Sequence, residues 1–86
     1  MKRLTPAQVE ALRSVPLGSM PNKLAVARAM LEADQSTLAE AAGVSQPTVS
    51  DAEAGKPIKL PTAQKIAAAL GAIVDDIFPA RQAVAS

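Results

Sequence analysis

The sequence predicts an all-α fold: a compact bundle of five short helices without a sheet, with an extra N-terminal helix left open. Hydrophobic residues make up 49% of the 86-residue chain, but alanine dominates them and aromatic residues contribute 1%. Small side chains without strand-like runs of β-branched residues favour short helices that pack closely. Residues that commonly cap helices precede four of the apolar patterns: Asn22, Asp34, Ser45 and Thr62.

Residues 1–21 are predicted to form an N-terminal arm. A capping threonine followed by Pro6 favours a short helix that continues to Arg13. Val9 and Leu12 supply a short apolar stripe, and a helix of this length is not stable alone. Two interpretations of the arm stay open: a frayed segment, or a docking element for a second subunit or another protein.

Residues 22–79 are predicted to form the main domain, whose first helix runs from Lys23 to about Glu32. Its apolar side is expected to carry Leu24, Ala27 and Leu31. Later in the domain, an extended loop is expected over residues 58–61. The remaining helices are expected to begin at Thr62 and to span residues 73–78, and residues 80–86 to form a flexible tail.

The centre of the domain is the stretch DQSTLAEAAGVSQPTVSDAEAGK, residues 34–56. Two helices, over residues 35–42 and 46–54, are predicted to meet across a tight turn. Gly43 suits a left-handed residue after the first helix, and Ser45 can cap the second. Helix, short glycine turn and helix form the helix-turn-helix pattern, whose second helix enters the DNA major groove.

This stretch resembles the helix-turn-helix of the lambda-type phage repressors and Cro proteins, and of the small bacterial regulators grouped with them. The matching residues are Gln35, Leu38-Ala39, Gly43-Val44-Ser45, Thr48-Val49-Ser50, Glu53 and Gly55-Lys56. The likeness covers roughly residues 23–78 with continuous spacing. It implies a sequence-specific double-stranded DNA-binding transcriptional regulator, a repressor, that inserts the helix starting at Gln46 into the major groove.

Base contacts are expected from the outward side of the second helix. Val49 and Ala52 face inward at i and i+3, which leaves the candidate base-contacting residues outward or at the edge: Gln46, Pro47, Thr48, Ser50 and Asp51. Glutamine can bond adenine, hydroxyls can bond several base edges, and a carboxylate can accept from cytosine N4. The alternative for each residue is an ordinary solvated helix surface, and Asp51 repels phosphates where it misses a base.

Phosphate contacts are expected from Gln35, which lies at a helix N-terminus, and from Lys56 and Lys59 after the second helix. A solvated loop charge is the alternative for either lysine. The formal net charge of +1 predicts modest nonspecific affinity. We therefore expect a homodimer on a pseudo-palindromic operator.

The resemblance also implies a structural ion pair between Arg28 and Glu53. The family pairs an arginine and a glutamate at these positions in a largely enclosed contact. An arginine that extends from an apolar face to solvent is the alternative. Ala52 stands where the family has a larger apolar residue, so the core beside it is expected to be thin or filled from elsewhere.

Several functional classes are disfavoured by composition. The chain has no Cys and no His, and neither a phosphate-cradling glycine loop nor an acid–base pair is evident, so we expect no enzyme, metal or cofactor. No membrane span or signal-like apolar core is present, which predicts a cytoplasmic protein. RNA binding is disfavoured, because unpaired RNA bases stack on aromatic side chains and the chain has only one aromatic residue.

The alternative function is an antitoxin that neutralises a partner toxin through residues 1–21 and regulates its own operon.

Overall fold

Short α-helices separated by tight turns make up most of residues 1–85, the part of the chain described by this computed structural model. The elements are, in chain order, α1 (Pro6–Ser14), α2 (Leu24–Leu31), α3 (Gln35–Ala42), α4 (Gln46–Glu53), β1 (Ile58–Lys59), α5 (Leu60–Leu70), α6 (Val74–Ile77) and β2 (Ala83–Val84). The predicted all-α bundle is confirmed, and the additional N-terminal helix is present.

The core lies around α5, whose buried residues form one continuous stripe along the helix: Ala63, Ile66, Ala67 and Leu70. The largest fully buried side chains come from all six of these helices: Leu12, Leu24, Leu38, Val49, Ile66, Leu70 and Ile77. Phe78, the chain's one aromatic residue, is 2% exposed and belongs to the same core. Short helices of this kind depend on shared burial more than on intrinsic propensity.

The N-terminal segment packs into this core, which differs from the frayed-arm interpretation. Val9 and Leu12 of α1 are buried, and the Leu4 N–H donates to the Leu70 carbonyl at 2.8 Å. Arg13 Nε lies 2.7 Å from Asp76 Oδ1. Burial against distant helices supplies the stability that the short α1 lacks by itself.

Two of the four predicted helix starts lie elsewhere. Lys59 pairs in β1 and keeps an extended backbone, so α5 begins at Leu60 with Pro61 in its first turn and Thr62 is not its cap. Asn22 lies one residue before the N-cap position of α2, although its Oδ1 still accepts from the Leu24 N–H at 3.0 Å.

The C-terminal segment also differs from the prediction. β1 and β2 form a parallel pair of two residues each, with Ile58 opposite Ala83, so the expectation of no sheet was wrong. Gln82 is 4% exposed, and its carbonyl accepts from the Ile58 N–H at 2.9 Å. These backbone and side-chain bonds pack residues 81–84 against the domain where a flexible tail was expected. Ser86, the last residue of that expected tail, lies outside the described residues.

Candidate nucleic-acid interface

Both helices of the helix-turn-helix stretch, α3 and α4, are capped at their N-termini, and a glycine closes the turn between them. Asp34 Oδ1 accepts from the Thr37 N–H at 2.7 Å, and Ser45 Oγ accepts from the Thr48 N–H at 3.2 Å. Gly43 ends α3 with φ 71°, a backbone conformation that glycine adopts without steric cost. The predicted caps and glycine turn are therefore present, and Gly43 and the Ser45 cap together set the direction in which α4 leaves the turn.

One side of α4 is buried and the other is open. Val49 and Ala52 are fully buried. The exposed candidates and Gln35 line one shallow groove of about 350 Å³, formed by Gln35, Gln46, Pro47, Ser50 and Asp51. The structure thus brings four of the five candidate base-contacting residues onto a single surface, which we call the recognition face.

Thr48 differs from the other four candidates. It is half-buried, and its hydroxyl lies 2.7 Å from Ser45 Oγ. A hydroxyl engaged in the cap of α4 has less freedom to turn towards a base. The structure therefore assigns Thr48 a part in holding the N-terminus of α4 and leaves it at the edge of the recognition face.

The two lysines predicted to contact phosphates are exposed beyond the C-terminal end of α4. Lys56 Nζ donates to Asp51 Oδ1 at 3.1 Å, and both side chains are more than half exposed. A candidate phosphate contact and a candidate base contact are thus joined to each other in the free protein. Lys59 follows in β1, whose pairing with β2 fixes its backbone.

Gln35 is oriented by a neighbour on α4. Its Nε2 donates to Glu53 Oε2 at 2.8 Å, and the side chain is half-buried. Gln35 is also the one residue of α3 among those that line the groove. A helix N-terminus carries unpaired N–H groups that suit a phosphate.

Arg28 and Glu53 form an enclosed ion pair between α2 and α4. Arg28 Nη2 lies 2.6 Å from Glu53 Oε1, and the side chains are 19% and 16% exposed. Arg28 also donates to the Ala33 carbonyl at 2.9 Å. Burial opposes ionisation of Glu53, yet hydrogen bonds from Arg28 and Gln35 outweigh it and hold the Glu53 pKa below its usual value.

Sequence reasoning missed the role of two buried amides behind the recognition face. Asn22 and Gln82 are 3% and 4% exposed, and both donate to the Ala52 carbonyl, at 2.7 and 2.6 Å. Asn22 was expected only as a helix cap and Gln82 only as part of a tail. No local pattern marks Gln82, because its partners lie far away in the sequence.

The described residues carry neither a membrane-spanning element nor a cluster of metal ligands. Across residues 1–85, every helix is too short or too polar to cross a membrane. In the same part of the chain, acidic side chains do not gather in threes around a point where a metal ion could be held.

A capped helix, a glycine turn and a second helix with a polar open side define a helix-turn-helix protein. A model of the helix-turn-helix family matches residues 26–73, which is more than half of the chain. The chain therefore belongs to the family of lambda repressor/Cro-like helix-turn-helix DNA-binding proteins, in agreement with the resemblance. Neither a curated protein nor a solved structure gives a significant match.

Proposed function

We propose that this protein is a sequence-specific transcriptional repressor that acts in the cytoplasm by inserting α4 into the DNA major groove. The observation that carries the proposal is the recognition face. Its exposed members surround one groove, while Val49 and Ala52 on the opposite side of α4 are fully buried. A helix held in this way presents its first turns to base edges without giving up its core contacts.

The proposed base contacts come from the exposed members of the recognition face. Gln46 lies in the first turn of α4 and suits an adenine edge, and Ser50 can bond several bases. Pro47 offers an apolar surface to a thymine methyl, and Asp51 can accept from cytosine N4 once Lys56 releases it. Thr48 contributes at the edge of the same surface.

The proposed phosphate contacts flank the recognition face. Gln35 and the first turn of α3 lie on one side, while Lys56 and Lys59 lie beyond the C-terminal end of α4. Lys56 would exchange its exposed bond to Asp51 for a phosphate. The exposed setting favours the exchange, because water already solvates both groups in the free protein.

The proposed active species is a homodimer on a pseudo-palindromic operator. One recognition helix reads few base pairs, and a chain of net charge +1 gains little from nonspecific attraction. Two copies with half-sites about 34 Å apart would combine their contacts. Two surfaces are candidates for self-contact: the N-terminal arm and residues 73–78. The second has more support, because Ile73 is 61% exposed, although Ile77 and Phe78 are buried, whereas Val9 and Leu12 of the arm are already buried in the core.

The antitoxin alternative has less support. A toxin-binding arm over residues 1–21 needs an open apolar surface, whereas Val9 and Leu12 are buried in the chain's own core. A growth-inhibiting product of an adjoining gene that binds this chain through residues 1–21 would favour the alternative.

Selection of bound fragments from a random duplex pool tests the proposed function. We expect enrichment of a pseudo-palindrome, and footprinting of that sequence should protect two half-sites one DNA turn apart. Protection of a single unrepeated half-site by one chain would contradict the dimer. Failure to enrich any sequence would contradict sequence-specific binding. A reporter placed under the selected operator then measures the sign of regulation, which we expect to be repression.

A further inference from the structure

The C-terminal end of α4 is fastened by side chains from outside the matched helix-turn-helix residues. Asn22 Nδ2 and Gln82 Nε2 both donate to the Ala52 carbonyl, at 2.7 and 2.6 Å. Gln82 Nε2 also donates to the Lys56 carbonyl at 3.1 Å, while Gln82 Oε1 accepts from Asn22 Nδ2 at 3.0 Å. The last carbonyls of a helix have no partner within the helix, so donors of this kind determine how firmly its end is held.

The surroundings of these amides make the bonds hard to replace. Asn22 and Gln82 are almost fully buried, and within residues 1–85 each buried side-chain nitrogen and oxygen has a hydrogen-bond partner. The Ala52 carbonyl also accepts from the Gly55 N–H at 3.1 Å. Loss of the Gln82 amide therefore falls most directly on the Lys56 carbonyl, which accepts from Gln82 Nε2. The main chain of Gln82 is itself anchored, because its carbonyl accepts from the Ile58 N–H at 2.9 Å.

The loop that follows α4 is held in the same place. A Cβ at Gly55 would lie 2.6 Å from the Pro21 Cβ, so the loop passes directly against the segment that carries Asn22. Lys56 leaves this loop towards solvent, with its carbonyl bonded to Gln82. In a helix of only eight residues, this pair of amides therefore helps to fix the C-terminal end and the loop that carries Lys56.

We propose that Gln82 is a positioning residue for DNA recognition. Its amide fixes the C-terminal end of α4 and the Lys56 loop, as the Ser45 cap fixes the N-terminal end. The inference rests on the proposed function, in which α4 reads the operator. It adds a DNA-binding role for a residue that lies outside the family match and is too deeply buried to touch DNA.

The test removes the amide group of Gln82 and keeps the size of the side chain nearly constant. Gln82→Met removes both donors at nearly constant side-chain length, and Gln64→Met makes the same change at an exposed position of α5. We expect the amides of Gly55, Lys56 and Ile58 to exchange hydrogen about tenfold faster in free Gln82→Met, with α5 core amides unchanged. This measurement needs no DNA. Acceleration of all amides in parallel, or of none, would overturn the positioning role.

Binding to the selected operator is the second measurement, made at a temperature at which both proteins are fully folded. We expect Gln82→Met to lose about tenfold in affinity and to discriminate less well against single-base operator variants, while Gln64→Met keeps both values. Local loosening without a change in affinity or discrimination would overturn the proposal. Arg81→Ala is the neighbouring-site control. An equal loss of affinity and of base discrimination there would show that any change in residues 81–82 weakens binding, which would overturn a specific role for the Gln82 amide.

Two further outcomes separate this inference from the function on which it rests. If the wild-type chain selects no duplex sequence, the proposed function and the DNA role of Gln82 both fail, while the exchange data still report whether Gln82 holds the end of α4. If Gln82→Met does not fold, Gln82→Asn provides a milder variant. Its amide is one methylene too short to reach both carbonyls, and the same expected and contrary results apply to it.

Discussion

Two ion pairs each include a residue of α4, and they differ in how exposed their side chains are to solvent. The Arg28–Glu53 pair has side chains 19% and 16% exposed and an N–O distance of 2.6 Å. The Lys56–Asp51 pair has side chains 65% and 54% exposed and an N–O distance of 3.1 Å. The first pair joins α4 to α2, whereas the second joins Asp51 of α4 to Lys56 in the loop that follows the helix.

The difference indicates which charges are structural and which are available to a ligand. Each charge of the enclosed pair depends on the other, because little water can reach either one after a partner is lost. Water solvates both charges of the exposed pair, so breaking it costs little. The contrast supports the proposal that Arg28 and Glu53 serve the fold, while Lys56 and Asp51 are available to DNA.

The largest expected effect comes from breaking the enclosed pair. Arg28→Ala or Glu53→Ala leaves one charge in a largely desolvated site, which should lower the free energy of unfolding by ~3 kcal/mol or more. Thermal unfolding followed by circular dichroism measures the change. Lys56→Ala is the matched control and should change stability by less than about 1 kcal/mol. Equal melting temperatures for all three variants and the wild type would show that enclosure does not distinguish the pairs.

The second effect is on binding and comes from the recognition face. Gln46→Ala should weaken binding to the preferred operator by ~1–3 kcal/mol and relax the choice at one base position, because it removes hydrogen bonds to a base edge. Binding to a panel of operators with single-base changes measures both effects. Gln64→Ala, at an exposed position of α5, is the control for a glutamine outside the face. If Gln46→Ala and Lys56→Ala both left operator affinity intact, α4 would not be the DNA reader.

Removing either charge of the exposed pair should have a smaller effect on DNA affinity. Replacement of Lys56 should act differently from replacement of Asp51. Lys56→Ala should weaken binding to all duplexes alike and reduce the slope of log affinity against log salt by about 0.9, the contribution of one phosphate. Asp51→Ala distinguishes two roles for the carboxylate. Lower affinity with relaxed choice at one cytosine indicates base reading, whereas a general gain in affinity indicates that Asp51 only repelled phosphate and occupied Lys56. An unchanged salt slope for Lys56→Ala would remove Lys56 from the phosphate contacts.

The smallest expected effect is on the pH dependence of stability. Glu53 and Asp76 both have pKa values below their usual range, the first through hydrogen bonds from Arg28 and Gln35 that outweigh burial, the second mainly through a hydrogen bond from Arg13. A carboxyl with a lower pKa in the folded state stabilises the fold above its unfolded pKa, near 4, and loses that contribution as pH falls through the folded value. We expect melting temperatures to be steady above about pH 5 and to fall below about pH 4.

A variant separates the enclosed pair from the remaining carboxyl groups in this pH series. Glu53→Gln should begin with a lower melting temperature at neutral pH and decline less steeply in acid, because it has already lost the titrating group. An identical acid slope in Glu53→Gln and the wild type would mean that Glu53 does not contribute to the acid sensitivity.

The parts of the site that could be predicted from sequence depend on local rules. Asp34 and Ser45 cap the helices that follow them, and Gly43 takes the left-handed conformation expected of it. Val49 and Ala52 are buried at the predicted spacing, which fixes the outward side of α4 by elimination. Each of these features is decided within one or two helical turns.

The parts that could not be predicted depend on contacts between distant segments. Gln82 bonds carbonyls 30 and 26 positions away, and Arg13 pairs with Asp76 across 63 positions. Strands of two residues, such as β1 and β2, are too short to show the alternation of apolar and polar residues that predicts a strand. Buried amides resemble solvated ones in sequence, since only the assembled fold shows that Asn22 and Gln82 face each other.

The separation of buried and open sides on α4 has a consequence for how this protein could acquire new targets. The exposed residues of the recognition face add little to the core, while Val49, Ala52 and Glu53 hold the helix in place from the other side. Under the proposed function, substitutions at Gln46, Pro47 and Ser50 would therefore change the preferred operator without first destabilising the fold. In such a protein, target choice can diverge after gene duplication while the scaffold stays the same, and a designer could retarget it through the same few positions.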